Sequence, residues 1–254
     1  MSLKNKKKYT KKSVVLITGG AGGIGKATAN KFLEKGYIVI IIDNDKNACD
    51  SFHIVDDLII YNADITDYNK MNSIVDEIFE KIGNIDILIN NAAIQTTQNV
   101  LKIKLKDWKK VIDVNINGTF ILSQLVSRKM NANSTILNII STHYNKPRTH
   151  KLHYDVSKAG IEVMTKGFAL ELAKRKITVN ALAIGATFTN MNYGFKTNEV
   201  SVKNARERIP LKKICQPTEV AQYIYDIINN FSKYTTGSIF VIDGGRNLVW
   251  ITDQ

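Results

Sequence analysis

Residues 14–25 read VVLITGGAGGIG, and this stretch decides the fold. Val14–Thr18 is a short run of β-branched and aliphatic residues, the composition of a strand covered on both faces. It runs into a turn holding Gly19, Gly20, Gly22, Gly23 and Gly25. A helical pattern follows from Ile24 to Lys35, with Gly36 placed as its C-terminal stop. A strand that turns tightly into a helix on bare backbone lets a pyrophosphate approach the chain, because Cβ atoms would block it. The helix N-terminus adds unpaired N–H groups and the positive end of its dipole. Gly19, Gly23 and Gly25 are spaced G-x-x-x-G-x-G rather than G-x-G-x-x-G, so a plain connecting turn remains the alternative on spacing alone.

The same alternation continues outward. Tyr37–Ile42, Leu58–Ala63, Ile85–Ile89, Thr135–Ile140, Ile177–Ala181 and Ser238–Ile242 are further apolar runs, separated by helix-length stretches at 67–82, 103–130, 154–174 and 217–231. Continuous apolar runs alternating with helices imply right-handed crossovers and a parallel sheet. We expect one α/β domain over 13–254: a doubly wound parallel sheet of about seven strands with helices on both faces. The stretch between the second and third strands is short and polar, which predicts a reduced helix there.

The chain has 254 residues, 44% hydrophobic and 23% charged, which suits a folded domain with a sizeable core. That composition excludes a mainly disordered chain, and no apolar run approaches the ~20 residues of a membrane span. Cys49 and Cys215 match no metal or redox spacing. We therefore expect no disulfide framework, no metal site, and a reducing cytoplasm. The formal net charge is +12, half of it on the six lysines of residues 1–12. That stretch is expected to be a basic flexible tail and lacks the apolar core of a signal peptide. Lysines far outnumber arginines and are not interleaved with aromatics, which points to a solvated surface and away from nucleic acid.

Candidate binding residues lie at strand ends. Asp43 follows the second strand, where a carboxylate accepts hydrogen bonds from adenosine ribose hydroxyls and repels a 2′-phosphate, favouring NAD over NADP. Asp64, after the third strand, is placed to meet an adenine amino group or to cap the helix from Asp67. Asn90, Asn91, Ala92 and Ala93 follow the fourth, where small residues let a cofactor lie close. In Tyr154-Asp155-Val156-Ser157-Lys158, spacing of four puts Tyr154 and Lys158 on one helical face. A free tyrosine titrates near ~10, and a neighbouring ammonium favours the phenolate, making it a usable proton-transfer group. Ser141 ends the fifth strand, and Asn115 lies inside a helical pattern where asparagine is unfavourable without a reason. His150 and His153 are read as facing the substrate mouth or as plain surface.

These motifs together resemble the classical short-chain dehydrogenase/reductase family. The resemblance runs over roughly residues 13–245: the turn at Gly19, Gly23 and Gly25, Asn90-Asn91-Ala92, then Asn115, Ser141, Tyr154 and Lys158, with Asp243-Gly244-Gly245 near the end. It implies a Rossmann-type sheet, Tyr154 as general acid/base, Ser141 holding the substrate oxygen, Lys158 on the nicotinamide ribose and lowering the Tyr154 pKa, and Asn115 holding a relay water. It also implies cofactor contacts from Ile24, Ile65, Asn91, Ala92, Ala93, Gly185, Thr187 and Thr189. One departure is Ile184-Gly185 where the family usually has Pro-Gly, which predicts a more mobile loop over the nicotinamide.

The activity implied is hydride transfer between NAD(H) and a secondary alcohol or ketone, a small alcohol, sugar or polyol, without metal. The alternatives are an NADPH-dependent 3-oxoacyl-carrier-protein reductase, with a basic surface near Arg128, Lys129 and Arg175 for its acidic carrier, and a non-catalytic nucleotide sensor. Specificity is expected from Gln95–Val100, His143–His153 and a lid at about 190–210 with a helical portion. That lid shows no acidic pair and no arginine cluster, Arg206 and Arg208 being read as solvated. The family resemblance implies a homotetramer. The apolar tail Arg246–Gln254 is expected to pack on a neighbouring subunit or on its own substrate cleft.

Overall fold

A computed structural model describes residues 12–53, 55–192 and 198–249. Seven strands run through it: β1 (Val14–Thr18), β2 (Ile38–Asp43), β3 (Leu58–Asn62), β4 (Ile87–Asn90), β5 (Thr135–Ser141), β6 (Thr178–Ile184) and β7 (Ile239–Ile242). All pair in parallel, in the order β3-β2-β1-β4-β5-β6-β7. The order reverses between β1 and β4. The loops leaving these two strands part in opposite directions and open a crevice at their carboxyl ends.

The helices are α1 (Gly23–Glu34), α2 (Lys46–Asp50), α3 (Tyr68–Lys81), α4 (Leu105–Ile112), α5 (Thr119–Lys129), α6 (Leu152–Leu172), α7 (Glu199–Glu207) and α8 (Pro217–Asn230). Side chains of α3, α5 and α6 pack with Leu16, Ile40 and Leu88 on one face of the sheet. Those of α1 and α8 pack with Val15, Ile17 and Leu182 on the other. Alternate strand residues go to opposite faces, which is why each strand must be apolar throughout. α2 has five residues and is capped by the Asp45 carboxylate on the Ala48 N–H, the reduced helix the polar stretch predicts. Of the basic tail, only Lys12 is among the described residues, and it pairs with Asp57 at 2.6 Å.

The 103–130 stretch is not one regular helix. Between α4 and α5, Asp113–Gly118 winds as a π-helix, and Asn115 lies inside that turn. Four buried polar side chains cross the core nearby: Asn90 Nδ2 donates to Ser123 Oγ at 2.9 Å and to Asn138 Oδ1 at 2.8 Å, and Asn138 Nδ2 donates to Thr165 Oγ1 at 2.9 Å. They tie α5, β4, β5 and α6 directly under the crevice.

Candidate active site

The glycine turn serves two purposes. Gly19 has φ +62°, and a Cβ there would meet Ala92 Cα at 2.7 Å; a Cβ on Gly25 would stand 2.0 Å from Gly19 O. The chain's own packing demands these two. Gly23, φ +51°, faces the Thr189 side chain at 3.4 Å, and at Gly22 nothing lies within 4 Å of an added Cβ. The open cradle is therefore at Gly22–Gly23, and Gly22 was not singled out from the spacing. Its place is fixed from the β4 side. Asn91 Nδ2 donates to Thr18 O at 3.1 Å and Gly19 O at 2.9 Å, while Thr18 Oγ1 accepts from the N–H groups of Asn91 and Ala92 at 3.0 and 3.1 Å.

A cleft of about 320 Å³ extends from this turn over Ile24, Asp43, Asp64, Ile65, Ala92 and Ala93. Asp43 accepts the Ala21 N–H at 2.9 Å and the Asp45 N–H at 3.0 Å, so its carboxylate is held at the rim. Asp64 accepts from the Thr66 N–H and hydroxyl. It does not cap α3, since Asp67 does so through the Lys70 N–H. The described residues lining the cleft include three carboxylates, Asp43, Asp45 and Asp64, and among them no lysine or arginine.

Ile24, Asn91, Ala93, Thr189 and Met191 also line a second cavity of about 140 Å³, which holds Ser141, Tyr154 and Lys158. Gly185 and Thr187 line it as well, the Thr187 hydroxyl donating to Gly185 O at 3.2 Å. Burial raises the Tyr154 phenol to about 12, with the hydrogen-bonded Ser141 hydroxyl pulling it down and Asp155 pushing it up. Burial lowers the Lys158 amine to about 8. Its Nζ donates to Ile139 O at 3.0 Å and stands 5.6 Å from the Tyr154 ring centre. Burial thus moves the Tyr154 phenol upward, opposite in direction to the lowering by Lys158 that the resemblance implies. Both groups are nearly excluded from water, and desolvation penalises each charged form more than the pair repays.

Asn115 is fully buried. Its Oδ1 accepts the Ile94 N–H at 2.9 Å, and its Nδ2 donates to Ile94 O at 3.0 Å and Ser157 Oγ at 2.9 Å. Ser157 Oγ in turn donates to Tyr154 O at 2.7 Å. The side chain therefore ties the segment following Ala93 to the helix carrying Tyr154, which is the reason for a mid-helix asparagine. The loop after β6 lacks the family proline, yet its backbone is held: Cys215 N donates to Ala186 O at 3.0 Å and Phe188 N to Cys215 O at 3.0 Å.

Several expectations need correction. His153 is neither at the substrate mouth nor on the surface; it is fully buried in α6 with Nε2 on the Thr96 hydroxyl. His150 is exposed. His143, the first residue of the 143–153 specificity segment, lies in the cavity. Its Nδ1 meets Asp155 Oδ1 at 2.6 Å, and its ring stands edge-on to Tyr154 at 5.6 Å. Arginines do gather near the site: Arg148 lines the cavity, and Arg246 Nη1 donates to the backbone carbonyl of the exposed lid residue Arg208 at 3.0 Å. They were invisible because 145–148, 208–211 and 243–249 meet only in the fold. Two of the three proposed carrier-binding cations are engaged elsewhere. Arg175 donates to Ser127 O at 2.5 Å and Met130 O at 2.7 Å, closing the end of α5, and Lys129 pairs with Asp76.

Of the tail Arg246–Gln254, the described residues reach Val249; they bond to the 142–151 loop, and Leu248 is exposed. Lys146 Nζ donates to Val249 O at 2.5 Å, and Asn247 Nδ2 to Asn145 Oδ1 at 3.4 Å. Trp250–Gln254, and residues 193–197 of the lid, lie outside the described residues, whereas the helical portion of the lid is α7.

Comparison with known proteins agrees with this geometry. A family model described as enoyl-(acyl carrier protein) reductase matches residues 19–247. The chain is 38% identical over 239 residues to the 3-oxoacyl-acyl-carrier-protein reductase of Thermotoga maritima, covering 91% of this chain and 96% of that one. It is 32% identical over 243 residues to glucose 1-dehydrogenase 2 of Bacillus subtilis, covering 92% and 94%. Among solved structures it is similar to 4-hydroxyisoleucine dehydrogenase complexed with NADH, with TM-score 0.88, 28% identity, and 94% and 100% coverage. Other solved neighbours carry NADP or NADPH. With a seven-stranded parallel sheet, a bare glycine cradle at its switch point and a serine, tyrosine and lysine sharing one cavity beside it, the chain belongs to the short-chain dehydrogenase/reductase family of oxidoreductases.

Proposed function

We propose that this protein transfers a hydride between NAD(H) and a small secondary alcohol or ketone. The observation that carries the reading is the meeting of Ser141, Tyr154 and Lys158 in a cavity continuous with the nucleotide cleft. The cleft fits a dinucleotide, because the backbone at Gly22–Gly23 is bare where phosphates would lie. Asp43 would take the adenosine ribose, Asp64 and Ile65 the adenine end, Asn91, Ala92, Ala93, Gly185, Thr187 and Thr189 the central and nicotinamide parts, and Lys158 the second ribose. When bound, the nicotinamide supplies the hydride chemistry.

The chain's own task is the proton. Ser141, hydrogen-bonded to Tyr154, is placed to hold the substrate oxygen beside the phenol. A phenol raised to about 12 is protonated at neutral pH, the form that donates to a developing alkoxide as a ketone is reduced. In the oxidative direction the alcohol proton passes to the phenolate, a state favoured by positive charge arriving beside it. Lys158 retains donors beyond the one on Ile139 O. Asn115 acts by holding the Tyr154 helix in register, and the relay water remains part of the proposal.

NAD is favoured over NADP by the acidic lining of the adenosine end, since a 2′-phosphate there would face Asp43, Asp45 and Asp64, with no cation among the described lining residues. The second reading is a 3-oxoacyl-carrier-protein reductase, supported by the Thermotoga maritima relative and weakened by the engagement of Arg175 and Lys129. A homotetramer is favoured by a water-facing apolar stripe on α6, Val156, Val163 and Leu170, exposed by 41, 69 and 81%. A cytoplasmic setting is supported by the two free cysteines, Cys49 and Cys215.

The test assays alcohols, sugars, ketones and a 3-oxoacyl thioester with both nucleotides, with Tyr154→Phe as blank. NADH preference on small ketones supports the proposal. Strong NADPH preference on the thioester moves it to the second reading. Full activity of Tyr154→Phe overturns both.

A further inference from the structure

The mouth of the catalytic cavity is built from three segments remote in sequence. The 142–151 loop carries Lys146, Arg148 and Lys151; the segment after α7 carries Arg208; the segment after β7 carries Arg246. They are fastened together by Lys146 Nζ on Val249 O, Arg246 Nη1 on Arg208 O at 3.0 Å, and Leu211 N on Gly244 O at 3.2 Å. Arg148 is also tied to the catalytic helix, its backbone N–H donating to Asp155 Oδ2 at 2.8 Å, one residue from Tyr154. Asp155 Oδ1 meets His143 Nδ1 at 2.6 Å. A single buried carboxylate thus fixes both the ring beside the phenol and the position of Arg148 relative to it.

Arg148 has no ion pair of its own among the described residues. Asp155 and Asp243 are the described acids that act on the Arg148 and Arg246 guanidinium groups. Asp155 is engaged as described, and Asp243 accepts the N–H groups of Gly245 at 2.9 Å and Asn247 at 2.8 Å. The groups acting on the Arg148 guanidinium are Arg246 and Arg208, which repel it, and Asp155, which attracts it. Arg246 is likewise repelled by Arg208 and attracted by Asp243. Across the cavity, Lys151 Nζ donates to Gln95 Oε1 at 3.3 Å and Gln95 Nε2 to Met191 O at 2.9 Å, adding a further cation at the rim. Guanidinium groups gathered at a cavity, with the nearby carboxylates bound to other donors, suit a planar or tetrahedral oxyanion.

We propose that the site takes a hydroxy or oxo substrate bearing an anionic group, carboxylate or phosphate, which Arg148 holds at the cavity mouth while Tyr154 and Ser141 hold the reacting oxygen. This deepens the oxidoreductase reading and rests on it. The small cavity, about 140 Å³, confines the substrate to a short chain between the two ends. Arg208 and Arg246 supply field; Arg148 supplies the contact.

The experiment compares matched short secondary alcohols, each as the free carboxylate, the phosphate monoester and the neutral methyl ester, with NAD as oxidant. The wild type is expected to favour one anionic form over the ester by about tenfold or more in kcat/KM, chiefly through KM. Arg148→Ala is expected to bring that ratio to about one, and Arg148→Lys to recover part of it. The carboxylate and phosphate arms identify which anion is taken. An ester as good as both anions, or an Arg148→Ala protein with an unchanged ratio, overturns the proposal. A parallel melting measurement with each compound, without nucleotide, reads binding separately from chemistry. An anion-dependent rise lost in Arg148→Ala supports the anion site even if every alcohol fails to turn over, an outcome that defeats the oxidoreductase reading alone. No turnover and no such rise defeats both.

Discussion

Replacing Lys158 by methionine should make the protein more stable while stopping its chemistry. Lys158 is 3% exposed, and burial brings its amine from 10.5 to about 8. That displacement corresponds to about 3 kcal/mol held against folding at neutral pH. The hydrogen bond to Ile139 O offsets about 1 kcal/mol of this. Lys158→Met, which keeps most of the volume, should therefore gain about 2 kcal/mol, or about 4–8 °C in Tm for a chain of this length. The gain has a pH signature. Above 10.5 the amine is neutral in both folded and unfolded chains, and the penalty is absent. As pH falls from 10.5 to about 8 the unfolded chain takes up a proton that the folded one refuses, so stability is lost. Below about 8 both carry it, and the penalty is constant. Tyr154, raised from 10.0 to about 12, stabilises fully below pH 10 and fades between 10 and 12; it is common to both proteins and cancels in their difference. Urea unfolding of the nucleotide-free proteins at pH 7 and near pH 10 measures the gap. A variant less stable at pH 7, or a gap that does not shrink as pH rises, refutes the reasoning.

Other outcomes follow from the same geometry. Tyr154→Phe should lower turnover by about 10²–10⁴-fold while NADH still quenches or enhances fluorescence with nearly native affinity. Gly25→Ala should cost at least about 3 kcal/mol, because the new Cβ meets a backbone carbonyl 2.0 Å away; Gly22→Ala should melt like the wild type yet bind NADH more weakly, and equal behaviour of the two in melting curves would contradict this assignment. Asp43→Ser should lower the NADH-to-NADPH ratio of kcat/KM by about tenfold, measured under matched ionic strength. Asn115→Ala should cost about 2–4 kcal/mol in urea unfolding by leaving the Ile94 and Ser157 groups without their partner.

Much of the molecule was readable in advance, for identifiable reasons. β1 and its glycine turn are dictated locally: aliphatic residues wanted on both faces, then positions where the chain's own carbonyls leave no room for Cβ. Tyr154 and Lys158 share a face because a helix repeats every 3.6 residues. The π-turn around Asn115 was not readable, since a change of hydrogen-bond register leaves little trace in a hydrophobic pattern. The His143–Asp155–Arg148 grouping depends on a loop folding back on its own helix, and the arginine corner on three distant segments. His153 read as surface because polarity was taken for exposure, while inside the fold the Thr96 hydroxyl meets its Nε2. The titration of Tyr154 depends on depth, which spacing does not report.

The lashing of β1 to β4 by Thr18 and Asn91 has a consequence for how ligands come and go. A crevice whose two walls are already bonded to each other has little entropy left to surrender when a dinucleotide enters. Association should then proceed close to the encounter rate with a small heat-capacity change, and the choice among nucleotides falls to the charge at the far rim instead of to any closing of the walls.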